Sequence, residues 1–342
     1  MRPDPARPEE RGAALLTVLL LVAILSVVTA VALERLTIAS RMTRNIVSAD
    51  QGRAYLLSAE EMAATRIGDL VKLRPDRTTL EGGWLGRDQL IAVPGGTVAA
   101  RMIDRGNCFN LNSLVSGPDN GPDSQDGVPA DDASLVARPE GIAQFAALMR
   151  LLGIDQGAAQ QIAVSAADWI DSDINPGNGG AEDQYYAGLT PAYRAANGLV
   201  ADPSELLMVS SVTPDIYQRI RPWLCALPTT RMSPININTL LPAQAVLLAM
   251  LAPDKLALEQ ARQVLAQRPL EGYGSLGAFT AQPAIARLAL NETVTGQLVQ
   301  KTRWFEVALR ADLGGDEVEE TVLIDAGGQK VHLVRRQWGE GS

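Results

Sequence analysis

Residues 11–33 read Arg-Gly-Ala-Ala-Leu-Leu-Thr-Val-Leu-Leu-Leu-Val-Ala-Ile-Leu-Ser-Val-Val-Thr-Ala-Val-Ala-Leu. From Ala13 to Leu33 the only polar side chains are Thr17, Ser26 and Thr29, and there is no charge. As a helix at about 1.5 Å per residue this run spans roughly 32 Å, the thickness of a bilayer's hydrocarbon. The helical pattern continues past it. No proline occurs between Ala13 and Pro75, and Ile38, Met42, Ile46, Ala49, Leu56, Ala59, Ala63, Ile67 and Leu70 form an apolar stripe at helical spacing. The pattern predicts one helix over 13–72, embedded in a membrane first and amphipathic afterwards, with Gly52 as a soft point.

Three readings of the N-terminus are open on these residues. A short polar leader, residues 1–12, ends in Gly12 directly before the apolar run, which is similar to a type IV prepilin leader cut between Gly12 and Ala13. Ala30-Val31-Ala32 fits an ordinary signal-peptidase site that would release the chain at Leu33. The third reading is an uncleaved anchor.

The chain carries 30 basic and 39 acidic residues, a net charge of −9. The leader holds three of each, so its removal leaves that charge unchanged. An acidic chain without a basic run is poorly suited to the phosphate backbone of nucleic acid. The two cysteines, Cys108 and Cys225, lie beyond the apolar run. In an oxidising compartment they make one disulfide most simply, and two buried thiols otherwise. A single histidine, His332, leaves no partners for histidine-based catalysis or a zinc site. No nucleophile–base pair or glycine-rich phosphate loop is identifiable, so the chain does not read as an enzyme.

Strand-like runs occur near 83–85, 89–93 and 97–103, and again near 304–311, 317–325 and 330–334, with Gly and Pro turns between them. Alanine- and leucine-rich helical sequence lies between the two groups. The expected fold is α+β: the long helix packs on a small antiparallel sheet that a large all-α insertion interrupts. The expected segments are 73–112 for the first part of the sheet, 113–230 and 231–300 for the two parts of the insertion, and 301–342 for the last strands.

One segment, 168–186, gathers five carboxylates and two asparagines among glycines. Calcium takes six to eight oxygen ligands and is suited by such turns. The spacing is not that of an EF-hand, and full solvation of the loop is the alternative. Asp171, Asp173, Asn175, Glu182 and Asp183 are the candidate ligands. Asp168 is the weakest, because it lies on the preceding helix. Asp202 is within plausible reach, although its place before Pro203 already suits it as a helix N-cap. The loop 119–132 is a second acidic stretch with a stronger case for simple solvation. The run Ile235-Asn236-Ile237-Asn238-Thr239 and the leucine-rich helices after it have the look of a helix-hairpin-helix module. Where a DNA-binding hairpin would need glycines, however, the chain has Leu251-Ala252-Pro253-Asp254-Lys255.

Arg11-Gly12 before the apolar helix, Phe109-Asn110-Leu111-Asn112-Ser113-Leu114, Asp168-Trp169-Ile170-Asp171, Ala181-Glu182-Asp183-Gln184-Tyr185-Tyr186 and Ile235–Thr239 occur together in this order. In this the chain resembles the minor pseudopilin K family of the type II secretion system over nearly its whole length. The resemblance implies a pilin-like domain with a helical insertion at the tip of a periplasmic pseudopilus, anchored in the inner membrane. It implies cleavage and N-methylation by prepilin peptidase. It also implies assembly with minor pseudopilins I and J, with other pseudopilins and with the inner-membrane assembly platform, no nucleic-acid partner, and structural Ca2+ bound in the insertion. Most pilin-like proteins carry Glu at the fifth mature position; here that position is Thr17. The rival reading is a calcium-dependent periplasmic or secreted binding module, held by an anchor or released by a signal peptidase.

Overall fold

The computed structural model describes residues 8–118 and 134–339. The second acidic loop of the sequence, 119–132, lies outside them.

Helix α1 (Pro8–Leu73) is continuous over 66 residues, so the expected 13–72 helix is present and the Gly12–Ala13 bond lies inside it. Its apolar half is exposed along its whole length, as a segment made for lipid would be. The hydroxyls of Thr17, Ser26 and Thr29 each donate to a carbonyl one turn back, which satisfies them without water. From Leu56 onward the stripe meets protein: Leu56, Ala59, Ala63 and Ile67 are buried. Gly52 does not bend the helix. A Cβ there would lie 3.0 Å from Val318 Cγ2 and 3.7 Å from Leu313 Cδ1, so the glycine admits these two residues of the sheet against the helix.

That sheet contains β1 (Asp88–Val93), β2 (Gly96–Asp104), β9 (Trp304–Leu313), β10 (Asp316–Asp325) and β11 (His332–Trp338), in the order β1-β2-β9-β10-β11. All its pairings are antiparallel. The β2–β9 pair joins the two groups of strands across the insertion, with Gly96 opposite Leu313 and Asp104 opposite Phe305. Val98, Met102, Phe305, Val307, Leu309, Val322 and Ile324 point at α1 and form the core with it. Arg336 on β11 grips Glu60 of α1 through two bonds of 2.7 and 2.8 Å and lies 2.8 Å from buried Glu320. Burial, with Glu60 beside it, pushes the Glu320 carboxyl up to about 7.

The expected strand at 83–85 is not formed. Residues Glu81–Gly83 make a 3-10 turn, and only Leu85 bridges to Met102. Gly82 and Gly83 have φ of +77° and +61°, which breaks extended pairing there. Trp84 instead plugs the end of the core, donating from its indole to Thr79 O at 2.8 Å. The last strand also begins later than its hydrophobic pattern suggests, at His332.

The insertion is built from two parts that open in the same way. β3 (Phe109–Asn110), the turn 111–114, β4 (Val115–Ser116), β5 (Val136–Ala137), α2 (Pro139–Leu151), α3 (Gln156–Ile170), α4 (Asp183–Ala187), α5 (Pro214–Ile220) and β6 (Leu224–Cys225) form the first. β7 (Ile235–Asn236), α6 (Ala245–Ala249), α7 (Leu258–Ala266), α8 (Leu276–Thr280), α9 (Pro283–Ala286), α10 (Glu292–Gln297) and β8 (Leu298–Val299) form the second. β3 pairs in parallel with β6, and β7 with β8. The insertion is therefore helical with short parallel closures rather than purely α. Helix α5 stops at Ile220, because Pro222 and the β3 pairing take over.

Both openings read Asn-x-Asn-(Ser/Thr)-Leu, and their bonds correspond. In each, the first asparagine's side-chain oxygen accepts the second one's N–H, Asn112 N to Asn110 and Asn238 N to Asn236. In each, the second asparagine clasps a distant backbone through donor and acceptor: Asn112 with Val200, and Asn238 with Tyr273. Such a reciprocal clasp satisfies a buried amide and a buried peptide together. Cys108 and Cys225 are joined, with Cα atoms 5.8 Å apart.

Asp104 ends β2 and is buried where sheet and insertion meet. It accepts from the hydroxyls of Thr239 and Thr302 and from Gly106 N. Burial pushes its carboxyl up to about 6, against the pull of those donors. A folded-state pKa raised above the unfolded value stabilises fully below about 4 and loses that contribution as pH rises through about 6. Asp104→Asn removes the titration. Thermal melting of the detergent-solubilised full chain should therefore show the Asn variant gaining on the wild type between pH 4 and 6.5, by up to about 3 kcal/mol. A difference that stays flat with pH would mean that Asp104 does not titrate in this range.

Candidate metal centre

Helix α3 begins at an N-cap, Asp155, whose carboxylate accepts from Gly157 N and Ala158 N. It ends at Asp171, whose N–H still bonds Ala167 O at 2.9 Å. Ala159, Ala163, Ala166 and Ala167 let it lie close on α2. Under the loop that follows, Trp169, Tyr186 and Tyr193 stack and tilt against one another with ring centres 5.2–6.2 Å apart.

The loop is wound around Asp168. Both its oxygens accept from Gly177 N at 3.1 Å. A Cβ at Gly177 would lie 2.6 Å from Val164 Cγ1, and one at Gly180 would fall 1.8 Å from Asp168 Oδ2. Both glycines are therefore required by close approach. Ser172 pins the loop's start, accepting from Leu135 N and donating its own N–H to Leu135 O, each at 2.9 Å.

This winding brings Asp171, Asp173 and Glu182 together, with one carboxylate oxygen from each within 4.8 Å of the others. Asp171 and Glu182 are buried and Asp173 is exposed. Asp171 Oδ1 and Glu182 Oε1 are buried with no hydrogen-bond donor. No Lys or Arg pairs with any of the three among the described residues. Desolvation first, and the neighbouring carboxylates second, push Asp171 up to about 7. Glu182 also rises to about 7, again chiefly through desolvation. Two buried acids with raised pKa, an exposed third beside them and two orphaned oxygens fit a hard cation that takes oxygen ligands. The set has no sulfur or imidazole to suit a softer metal.

Of the other expected ligands, Asp183 and Asp202 are engaged elsewhere, and Asn175 lies beside the group with its side chain in solvent. Asp183 Oδ1 accepts from Ala195 N at 3.0 Å and ties down the returning chain. Asn175 is exposed, and its N–H donates to Asp173 Oδ1 at 2.7 Å. Asp202 stands outside the group. It caps the turn at Pro203, accepting from Ser204 N at 2.8 Å, and its other oxygen accepts from Gln337 at 3.1 Å on β11. The capping signal before Pro203 decides its position, so it does not reach the loop. Asp168, discounted from sequence, is the residue on which the loop's shape depends; the glycines nine and twelve positions later were the available signal.

At 251–255, the turn between α6 and α7, Asp254 takes φ +62° and pairs with Arg150.

Residues 107–229 and 235–300 each match a family model described as type II secretion system protein K. The chain is 34% identical over 333 residues to the type II secretion system protein K of Pectobacterium carotovorum subsp. carotovorum, covering 97% of this chain and 98% of that one. It is 34% identical over 334 residues to that of Aeromonas hydrophila, and 31% over 343 residues to that of Pseudomonas aeruginosa.

The chain belongs to the type II secretion system protein K family.

A chain of the solved GspK–GspI–GspJ complex from enterotoxigenic Escherichia coli superposes with a TM-score of 0.73 at 30% identity, covering 87% of this chain and 99% of that one. The protein K fold, with its long helix, interrupted sheet and insertion, is therefore the fold of this chain.

Within this protein K fold, Asp168→Ala should unfasten the loop by orphaning Gly177 N. The expected loss is about 1–3 kcal/mol, seen as a fall of about 2–6 °C in melting temperature. An unchanged melting temperature would show that Asp168 does not hold the loop.

Proposed function

We propose that this chain is a minor pseudopilin at the tip of the type II secretion pseudopilus, where it initiates or caps assembly with minor pseudopilins I and J. It acts as an assembly protein rather than an enzyme. The observation that carries the reading is where the bulk sits along α1. The membrane-length half lies at the N-terminus. The insertion gathers at the far end, where Thr78 bonds Gln300 and Asn236 just past the end of α1. A subunit with this mass above its sheet leaves no room for another stacked overhead. Family membership supports I and J as partners, and so does the likeness to a chain solved in complex with GspI and GspJ.

Thr17 fits the same position in the filament. A carboxylate at that site would be costly in hydrocarbon unless it met a neighbour's N-terminal amine. Thr17 needs no neighbour, because its hydroxyl bonds Ala14 O at 2.9 Å within its own helix. The α1 helix holds the chain in the inner membrane with the remainder in the periplasm, and prepilin peptidase cuts between Gly12 and Ala13. Assembly on the inner-membrane platform and packing against other pseudopilins follow from the same reading.

A structural Ca2+ belongs to it as well. Asp171, Asp173 and Glu182 are the residues that would hold the ion, with loop carbonyls and water completing its shell. Their orphaned buried oxygens support this assignment. The bound ion supplies the positive charge that the three carboxylates lack.

Mass spectrometry of membrane fractions tests the first part. Cells with prepilin peptidase should yield an N-methylated start at Ala13, and cells without it the intact leader. A start at Leu33 would release the domain and refute the tip reading. For the ion, chelation should lower the melting temperature of the solubilised full chain, and added Ca2+ should restore it. The double variant Asp171→Asn, Glu182→Gln should lose that response. A wild type indifferent to chelator refutes the site.

A further inference from the structure

The two edges of the sheet are protected unequally. β11 carries Arg335 and Arg336, and its pairing shifts register opposite Leu323–Ile324. Charges and irregular pairing are the usual means by which an edge refuses another strand. β1 has neither. It reads Asp-Gln-Leu-Ile-Ala-Val, pairs with β2 in unbroken register, and its single charge, Asp88, is held by Arg101 through bonds of 2.7 and 2.8 Å.

The two-residue turn Pro94-Gly95 makes Val93 and Gly96 a hydrogen-bonded pair, so by alternation Leu90 and Ala92 turn their N–H and C=O outward. Among the described residues no strand pairs with that edge. The hairpin is also held in place, since Pro94 O accepts from Tyr55 of α1.

Apolar surface lies on both faces of this edge. On the α1 face, a groove of about 540 Å3 runs between Met62 and Ile91 with Met102 at its floor. Met62 is 57% exposed there. On the opposite face Leu90, paired with Ala99, is 73% exposed. A helix laid in the groove would cover Met62 and the near side of Leu90 but leave the edge peptides unbonded. An added strand covers all three, because its alternate side chains fall on the two faces while its backbone meets the outward peptides.

We propose that β1 is the docking edge for a partner pseudopilin, which adds a strand of alternating apolar residues and continues this sheet into its own. This rests on the reading of the chain as a member of a minor-pseudopilin complex, and it names the surface that complex uses.

The full-length chain is co-expressed with the I and J pseudopilins of the same organism, solubilised in detergent and purified through a tag on this chain. Ala92→Pro removes an outward N–H without touching the β2 pairing, and Leu90→Lys charges the edge. Each should lower the recovered I and J by about tenfold. Leu270→Lys, at a leucine 96% exposed elsewhere, should not. A photo-crosslinker at Leu90 of the otherwise wild-type chain should capture I or J, and it decides the matter if either variant misfolds. Wild-type chain that retains neither I nor J refutes the assembly reading itself. Retention by wild type and both variants alike, or a Leu90 crosslink only to a second copy of this chain or to nothing, overturns the docking edge alone.

Discussion

Sheet and insertion are held as one body by a small buried polar node. Asp104, at the end of β2, receives the hydroxyls of Thr239 and Thr302. Asn107 donates to Thr239 at 2.9 Å and accepts from Asn236 N at 2.8 Å. Asn236 in turn donates to Thr302 at 2.9 Å. These residues come from the chain's exit from β2 into the insertion, from the opening of the insertion's second half, and from its return into β9. A buried carboxylate costs several kcal/mol unless its lone pairs are met, so this arrangement is stable only when all three segments are in place. An apolar joint of the same area would tolerate sliding; this one is satisfied in a single geometry. The disulfide between Cys108 and Cys225 closes the first half of the insertion beside the node and removes chain entropy from the unfolded state, by about 4–5 kcal/mol in the loop-closure model.

The same logic explains why α1 changes character without changing structure. Up to Val47 its large apolar side chains face outward, where only lipid or neighbouring helices can accept them. From Leu56 the apolar face is narrow and turned to the sheet, and the opposite face carries charge. Glu60 is buried within that second half, yet it is met by Arg336. The pair anchors the helix to the last strand of the sheet.

Much of this was legible in the chain because the signals were periodic and local. The spacing of Leu56, Ala59, Ala63 and Ile67 marked the buried face of α1, and the Gly and Pro turns marked both strand groups. What was not legible depended on distance. Nothing local tells Asp104 that it will meet Thr302, or tells β2 that it will pair with β9. The strand reading at 83–85 failed because Gly82 and Gly83 took left-handed backbone, leaving Trp84 to serve as a plug. At the acidic loop, clustering found Asp171, Asp173 and Glu182. It also admitted Asp202, where the competing capping signal before Pro203 was the stronger one, and it undervalued Asp168, whose role is visible only once Gly177 and Gly180 are folded over it.

The acidic loop and the polar node are opposite solutions to the same problem. At Asp104 every donor that the carboxylate needs comes from the chain, so the joint is complete as folded and fixes the insertion on the sheet. At Asp171 and Glu182 two buried oxygens lack donors and the neighbours are acids, so the chain's own groups leave the balance negative. Neutralising that loop needs either protons, at the raised pKa of about 7, or a divalent ion. A proton relieves one carboxyl at a time, whereas a divalent ion held by Asp171, Asp173 and Glu182 would supply positive charge to all three. The loop's shape rests on Asp168, and its charge balance on the three acids beside it.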